Sequence, residues 1–196
     1  MTKNGSLGQR FGLIILASAS PRRAKILSQI GFNFNVVPST VEEIFNHHDP
    51  VEVSKDLALK KAAEIAERHP DNIVIGADTV VFLDQKILGK PVSDEDACEM
   101  LRTLSAKTHE VYTAFAIVHK SKNKQIVDIE RTEVTFRALG EEEIAEYVRS
   151  GEPMDKAGAY GIQDRSAVFV HKIVGDFYNV VGLPIARIYT CLQNQF

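Results

Sequence analysis

The sequence predicts an α/β fold in which a mixed β-sheet is flanked by helices. In the first half of the chain, short apolar strands alternate with amphipathic helices, an order that is typical of parallel strand pairing. In the middle, two long strand-like segments are joined by the polar sequence "KSKNK", and strands joined by so short a turn pair antiparallel. A chain of 196 residues that is 44% hydrophobic and 25% charged can bury one core of ordinary size. We therefore expect a single domain over residues 1–196, with residues 1–12 as a flexible extension.

Helix-start signals and apolar runs place the elements of the first half. Serine or aspartate followed by proline predicts a helix start, because the side chain caps free backbone N–H groups and proline fits the first helical position. A glycine after the apolar stripe ends the first of these helices. The predicted elements are a strand (Leu13–Ser18), a helix capped by Ser20 and closed by Gly31, a strand (Asn33–Val37), a helix from Asp49 to about His69, a strand (Asn72–Ala77) and a short hairpin (Val80–Lys90).

The second half is predicted from the same kinds of signal. Ser93 with Asp96 predicts a helix start, and apolar residues at helical spacing follow it. Gly151 predicts the end of a later helix, and a glycine-rich loop comes after it. The predicted elements are a helix from Ser93, a strand (His109–His119), a strand (Gln125–Arg137), a helix (Glu141–Arg149), a loop (Glu152–Gln163), a strand (Ser166–Gly175) and a terminal helix (Leu183–Gln193).

Composition and charge disfavour several classes of protein. A net charge of −3 disfavours a protein that binds nucleic acid across its surface. Cys98 and Cys191 lie far apart and form no CxxC or Cys/His cluster, so we expect reduced thiols rather than a zinc site. The N-terminal sequence lacks the apolar stretch of a signal peptide, and no apolar run approaches the roughly 20 residues of a membrane span. We therefore expect a cytoplasmic protein that stably binds neither membrane nor nucleic acid.

The sequence "SASPRR" (Ser18–Arg23) places two arginines where a buried strand is followed by a helix. The first turn of a helix has free N–H groups and a partial positive charge, so it binds anions and disfavours cations. A bound phosphate would compensate for the arginines, with Ser18 and Ser20 as further donors. The alternative is an ordinary Ser-Pro cap with two solvated arginines. The GxxxxGK[ST] and GxGxxG patterns of other phosphate-binding loops are absent.

Two charged residues interrupt apolar patterns. Asp78 lies within "IVIGADTVVFL", and an ionised carboxylate is not buried without a partner or a metal. It also follows a predicted strand, where the ligands of α/β sheets collect; the alternative is an Asp-Thr turn between two strands. Lys61 shares a helical face with Leu57 and Ile65. Helical geometry alone favours a lysine that extends to water over one that enters a polar pocket.

The sequence "GEPMDKAGAYGIQ" (Gly151–Gln163) combines charged residues, glycines and a glutamine. Glycine lets the backbone approach a ligand closely, and a glutamine amide both donates and accepts hydrogen bonds. The alternative is a structured surface loop.

Lys90 and the pair Glu42 and Glu43 are weak signals by themselves. Taken together, cations at strand–helix junctions and several carboxylates are what a metal–polyphosphate site requires.

Five motifs occur in the same order as in the Maf family, which this sequence resembles from about Leu13 to Tyr189: "LASASPRR", "IGADTVV", "LGKP", "EPMDKAGAYGIQ" and "VVGLPI". Maf proteins are nucleoside triphosphate pyrophosphatases that have also been linked to inhibition of septum formation. The resemblance implies a fold related to the inosine triphosphate pyrophosphatases (Ham1), an elongated mixed sheet with a cleft between two lobes. It also implies hydrolysis of a nucleoside triphosphate to monophosphate and pyrophosphate, a requirement for Mg²⁺ or Mn²⁺, and a homodimer.

The resemblance further implies roles for individual residues. They are Ser18, Arg22 and Arg23 for holding the phosphates, Glu42 and Asp78 for catalysis and metal binding, Lys61 for substrate binding, Lys90 for catalysis, and Thr79 and Gln163 for substrate choice. Asp78 matches the aspartate that accepts a proton. The combination of Arg23, Thr79 and Gln163 resembles the branch that acts on dTTP and UTP, which implies a role in clearing modified pyrimidine nucleotides.

Two other functions remain open from the sequence. One is the same reaction on another substrate, either 7-methyl-GTP or a purine nucleotide such as ITP. The other is a regulator of septum formation that binds nucleotide without hydrolysing it. A binding protein could keep the cations but would not need Glu42, Asp78 and Lys90 together, so their joint presence favours an enzyme.

Overall fold

A seven-stranded mixed sheet lies at the centre of the computed structural model, which describes residues 9–43 and 48–196. The strand order is β2-β1-β3-β5-β6-β7, and β4 pairs with β3. The strands are β1 (Ile14–Leu16), β2 (Phe34–Val36), β3 (Ile73–Leu83), β4 (Lys86–Leu88), β5 (Thr108–His119), β6 (Lys124–Phe136) and β7 (Val170–Val174). β1 pairs parallel with β2 and β3, and all the other pairs are antiparallel. The predicted mixed sheet is confirmed.

Helices flank this sheet, and local signals explain where they begin. They are α1 (Pro21–Gln29), α2 (Pro50–Arg68), α3 (Asp94–Leu104), α4 (Glu141–Arg149), α5 (Phe177–Val181) and α6 (Ile185–Gln195). The side chains of Asp49 and Ser93 accept hydrogen bonds from backbone N–H groups in the first turns of α2 and α3. Ser20 precedes α1 but makes no such side-chain bond, so its predicted capping role is wrong. The short helix α5, capped by Asp176, was not predicted.

Strand β3 differs most from its prediction. It runs without interruption for 11 residues from Ile73 to Leu83, so Asp78 lies in the middle of a strand and not in a turn at its end. The carboxylate is tolerated inside because it has a buried partner, described below. The predicted hairpin is present, with its turn at Asp84 and Gln85, where φ is 50° and 62°. Its first arm is the last part of β3, and its second arm is β4.

The start of β7 also differs from prediction. The strand predicted from Ser166 begins only at Val170, because Arg165–Phe169 forms a 3₁₀ helix in which the Ser166 hydroxyl contacts backbone atoms of Gly161. The predicted extension over residues 1–12 falls mostly outside the described residues. Within this segment, Gln9–Phe11 forms a 3₁₀ turn, and the ring of Phe11 packs against the rings of Phe32 and Tyr189.

The two faces of the sheet are covered differently. Helix α2 packs on one face, where Ala58 and Ala62 contribute to a cluster of small side chains. On the opposite face, one cluster surrounds α1 and α6, and a second surrounds α3 and α4. These two clusters form the two lobes of the molecule, and a cleft lies between them. None of the helices in the described part of the chain combines the length and apolarity that a membrane crossing needs.

A buried histidine belongs to the second lobe. The Nε2 atom of His109 lies 2.7 Å from the hydroxyl of Tyr160, and the ring packs edge-on against Phe136. Only 1% of His109 is exposed. Burial lowers the pKa of His109 from 6.5 to about 4, because a charged imidazolium loses its hydration there.

This histidine makes stability depend on pH. Between pH 6.5 and 4 the unfolded chain binds a proton at His109 that the folded chain does not, so the free energy of unfolding falls as pH is lowered through that window. The expected loss is about 3 kcal/mol, measured by urea unfolding at pH 7 and at pH 4. His109→Gln should lose less than the wild type over the same range. The matched change at the exposed His171 should leave the wild-type slope intact, and an equal slope in all three proteins would contradict the prediction.

Candidate active site

A gap along one edge of β3 creates the site. Strand β1 ends at Leu16, opposite Ile75, and β4 pairs with β3 only from Val81 onward. Between these two partners, within the described chain, the edge of β3 around Ala77 has no neighbouring strand. A cavity of about 460 Å³ opens at this gap, between the two lobes. The end of a short parallel strand thus exposes the middle of a long one to a ligand.

Four charged side chains meet on one wall of this cavity. The ammonium of Lys61 donates to Asp78 Oδ1 at 2.6 Å and to Glu43 Oε1 at 2.7 Å. Lys90 donates to the other oxygen of Glu43 at 2.7 Å. Lys61 is 7% exposed and Asp78 is 5% exposed. The interpretation from helical geometry alone, that Lys61 extends to water, is therefore wrong.

The close packing of α2 on β3 brings Lys61 to Asp78. Gly76 lies directly under the helix, and a Cβ atom there would come within 2.5 Å of the Ala58 carbonyl oxygen and 2.7 Å of the Ala62 nitrogen. Glycine is the residue that permits such an approach of helix backbone to strand backbone. Gly76 and Asp78 point to the same face of β3 because side chains alternate along a strand. Lys61, beside Ala62 on the helix, consequently reaches Asp78.

The two carboxylates of this wall differ in proton affinity. Burial raises the pKa of Asp78, although Lys61 and Arg23 oppose that effect. Burial acts in the same direction on Glu43, but there the charges and hydrogen bonds of Lys61 and Lys90 prevail and lower the pKa to about 2. Two neighbouring carboxylates with different proton affinities are suited to different roles, one as a base and one as a permanent anion.

Of the acidic pair before the undescribed residues 44–47, the second glutamate lines the cavity. Both glutamates are exposed, but Glu43 lines the cavity and pairs with Lys61 and Lys90, whereas Glu42 does not line it. Two adjacent glutamates in a loop have the same local pattern, so the sequence contains no signal that distinguishes them. The candidate site therefore contains Glu43 in the place for which Glu42 was predicted.

The two arginines of "SASPRR" have different surroundings. Arg23 donates to four protein acceptors: Gly182 O at 2.7 Å, Ala77 O at 2.9 Å, Ser18 Oγ at 3.0 Å and Thr79 Oγ1 at 3.0 Å. Burial lowers its pKa. Arg22 lies nearer the surface and binds Asp155 from the glycine-rich loop at 2.8 Å. Protein groups therefore supply much of the compensation for which the sequence predicted an anion.

The glycine-rich loop lines the cavity from the other lobe. Gly158 has a φ of +65° and lies against Val81, where a Cβ atom would come within 2.9 Å of the valine side chain. Lys156, 6% exposed, donates to Asp155 Oδ1 at 2.8 Å and lies 3.2 Å from Asp164 Oδ2. This buried cation was not singled out from the sequence, where it is one of several charged residues in the loop.

Eight of the nine predicted site residues line the same cavity. They are Ser18, Arg22, Arg23, Lys61, Asp78, Thr79, Lys90 and Gln163. The ninth, Glu42, does not line it. Beyond these, the cavity has an apolar section to which Val81, Val111 and Tyr160 contribute. The lining combines cations, carboxylates and apolar side chains, a combination that suits a phosphorylated heterocycle.

Comparisons with known proteins agree with this picture. A sequence profile of the family described as "Maf-like protein" matches residues 13–195. The chain is 54% identical over 176 residues to a dTTP/UTP pyrophosphatase of Bacillus mycoides (strain KBAB4), covering 89% of this chain and 91% of that protein. It is 51% identical over 182 residues to a dTTP/UTP pyrophosphatase of Bacillus cereus (strain ATCC 10987 / NRS 248), covering 92% and 89% of the two chains.

Solved structures share the fold at low sequence identity. The Staphylococcus aureus Ham1 protein superposes with a TM-score of 0.54 at 16% identity, over 94% of this chain and 100% of that one. A HAM1 protein from Coxiella burnetii gives a TM-score of 0.51 at 16% identity, over 92% and 98% of the two chains. The Ham1-like architecture expected from the sequence is confirmed.

Proposed function

This chain belongs to the family of Maf-like proteins, and on that premise we propose that it hydrolyses dTTP and UTP to the nucleoside monophosphate and pyrophosphate. The observation that supports the proposal most directly is the pair of carboxylates, Asp78 and Glu43, held by the buried Lys61 at the wall of the cavity. Acidic side chains that share a cationic pocket are suited to metal-assisted attack of water on a phosphoanhydride. The cellular role that follows is the removal of unwanted pyrimidine nucleotides.

Glu43 and Asp78 fit a divalent cation. Both accept from the Lys61 ammonium, so the two carboxylates converge on one region of the cavity. Glu43 uses both of its oxygens for Lys61 and Lys90, so a bound cation would replace one of these lysine contacts. Mg²⁺ is commonly bound by one or two carboxylates together with substrate phosphates, in keeping with the absence, within residues 9–43 and 48–196, of any cluster of three or more potential ligands. We assign Mg²⁺ or Mn²⁺ to Glu43 and Asp78, with Glu43 replacing Glu42. When bound, the metal neutralises phosphate charge and makes the α-phosphorus easier to attack.

Arg22 and Lys90 bind the triphosphate in this proposal. Each currently pairs with a carboxylate, Asp155 or Glu43, and at least one partner in each pair is a third or more exposed. Exposed ion pairs contribute little free energy, so phosphate oxygens can replace these partners at small cost. Arg23 already donates to four protein acceptors. We therefore assign it to holding α1 against β3 beside the phosphates, with Ser18 in the same network.

Asp78 is the proton acceptor. Lys61 orients the Asp78 carboxylate through Oδ1, and this carboxylate takes the proton of the attacking water. The water oxygen forms a bond to the α-phosphorus, the bond from that phosphorus to the bridging oxygen breaks, and pyrophosphate leaves. A base whose pKa is raised by burial takes a proton more readily than an ordinary aspartate. Thr79 and Gln163 line the cavity and are proposed to contact the pyrimidine ring.

A substrate panel tests this function. Purified protein is incubated with dTTP, UTP, CTP, 7-methyl-GTP and ITP, each with Mg²⁺, Mn²⁺ or a chelator, and pyrophosphate release is measured. We expect release from dTTP and UTP that stops when the metal is removed. Release concentrated on 7-methyl-GTP or ITP would keep the reaction and overturn the substrate. No release from any nucleotide by folded protein would favour a regulator that binds nucleotide without hydrolysing it.

Two further parts of the proposal concern the protein in the cell. We propose that the protein is a homodimer and that it is located in the cytoplasm. Light scattering of the purified protein tests the dimer, and a mass near that of one chain would contradict it. Cell fractionation tests the location.

A further inference from the structure

A chain of hydrogen bonds runs from the cavity into the core. Arg23 Nη2 lies 3.0 Å from Thr79 Oγ1, which lies 2.9 Å from Thr113 Oγ1, which lies 2.8 Å from the backbone carbonyl oxygen of Asn179. We call these four groups the hydroxyl chain. Thr79 is partly exposed and lines the cavity, whereas Thr113 and Asn179 are fully buried. Thr113 therefore contacts no ligand itself.

The two ends of the hydroxyl chain fix the direction of every bond within it. A guanidinium group can only donate, a carbonyl oxygen can only accept, and a hydroxyl has one hydrogen and two lone pairs. The hydrogen of Thr113 goes to the Asn179 carbonyl. In the contact between the two threonines, Thr79 must then be the donor. Because Thr79 also accepts from Arg23, its hydroxyl keeps a single lone pair and no hydrogen for a ligand.

The far end of the hydroxyl chain is held firmly. The Asn179 amide donates to Val111 O at 3.0 Å and to Thr132 Oγ1 at 2.9 Å, which attaches α5 to two strands of the sheet. The Asn179 backbone carbonyl, which accepts from Thr113, also accepts from the Gly182 backbone N–H at 2.9 Å. The Asn179 backbone carbonyl is therefore fixed in position. If the Thr113 hydroxyl were removed, this carbonyl would still accept from the Gly182 N–H, so it would not be left unsatisfied.

We propose that Thr113 is a specificity-determining positioning residue, which fixes the Thr79 hydroxyl as a hydrogen-bond acceptor toward the cavity. An acceptor at this place selects a heterocycle that offers a ring N–H, as the uracil and thymine imides do, over cytosine, whose ring nitrogen is itself an acceptor. Val81, Val111 and Tyr160 line the same cavity, and their apolar surface strengthens the discrimination because it leaves little water to bridge two facing acceptors. This inference rests on the proposed function, in that it explains how the site chooses among pyrimidines.

The test compares Thr113→Val with Thr113→Ser. Valine has the shape of threonine without the hydroxyl, so it releases the Thr79 hydrogen, which can then face the cavity; serine keeps the hydroxyl. Dissociation constants are measured by calorimetry for the α,β-imido analogues of UTP and CTP, which resist hydrolysis. We expect the wild type to prefer the UTP analogue. In Thr113→Val the ratio of the two affinities should fall about five- to tenfold, and in Thr113→Ser it should stay at the wild-type value.

Thr135→Val is the matched control. Thr135 of β6 pairs with Thr108 of β5 at 2.8 Å, a threonine contact between neighbouring strands that does not line the cavity. This variant should keep the wild-type ratio, and melting temperatures of all variants report any general loss of structure. A merely structural role of Thr113 would weaken both analogues equally and leave the ratio unchanged.

The inference and the proposed function fail in different ways. An unchanged ratio in Thr113→Val, a wild-type preference for the CTP analogue, or binding of neither analogue would each overturn the role of Thr113. If the wild type binds the UTP analogue preferentially and Thr113→Val loses that preference, the inference holds even when no nucleotide is hydrolysed. In that case only the proposed reaction is overturned.

Discussion

Replacing Asp78 with asparagine is expected to lower kcat for UTP hydrolysis about a thousandfold while the protein stays folded. Asparagine has the shape of aspartate, and its amide oxygen can still accept the hydrogen bond from Lys61 that Asp78 Oδ1 accepts at 2.6 Å. It cannot take a proton from water. The measurement is the initial rate of pyrophosphate release at saturating UTP, repeated at several Mg²⁺ concentrations so that weakened metal binding is separated from loss of the base.

Asp84→Asn provides the matched control for this prediction. Asp84 lies at the turn that follows the same strand, has a positive φ that asparagine adopts readily, and pairs with Lys107 at the surface. Its rate should equal that of the wild type. A near wild-type rate in Asp78→Asn would show that another group accepts the proton and would remove Asp78 from its proposed role.

The parts of the fold that sequence predicted best depend on short-range signals. Helix α4 was predicted with both of its observed ends, and α3 begins where Ser93 and Asp96 predicted it. A cap needs only a side chain and a backbone group two or three residues away, so the information lies within a few positions of the sequence. The short helix α5 was missed because its cap is followed by a single turn, which is too short to show an apolar stripe.

The candidate site was predicted well in composition and less well in geometry. An aspartate in an apolar run fits either a turn or a strand with a buried partner, and Asp78 was wrongly placed at a strand end. The partner that decides the question is Lys61, which lies 17 positions away on another element. Only the packing of α2 on β3 brings the two together. The same reasoning applies to Glu43, which was distinguished from Glu42 only by its contacts with Lys61 and Lys90.

The arginines of α1 show why residue type and local position do not determine a role. The helix-dipole argument favoured a bound anion beside both arginines, with two solvated arginines as the alternative. The structure gives Arg23 a hydroxyl pair and two carbonyls as acceptors, and leaves Arg22 with a carboxylate at the surface. Carbonyl oxygens satisfy the donors of a guanidinium without carrying the charge of a phosphate, and they come from segments distant in sequence. Of the two, Arg22 is consequently the better candidate for contact with phosphate.

Gly76→Ala is expected to have the largest effect on stability. The added Cβ would lie 2.5 Å from the Ala58 carbonyl oxygen and 2.7 Å from the Ala62 nitrogen, and both are backbone atoms of α2 that cannot rotate away. The helix must therefore move off the strand, which we expect to cost about 3 kcal/mol. For a domain of this size the melting temperature should fall by roughly 10 °C, measured by thermal unfolding at pH 7.

The same substitution should also reduce the activity of the protein that remains folded, because moving α2 separates Lys61 from Asp78. At a temperature well below the melting point, kcat should fall along with stability. Gly140→Ala is the control: Gly140 has a φ of −84° and open space around its Cβ position, so stability should change by less than about 1 kcal/mol and kcat should not change. If Gly76→Ala melts at the wild-type temperature, the helix can shift at no cost. If it melts lower but keeps full kcat, the contact between α2 and β3 stabilises the fold without setting the position of Lys61.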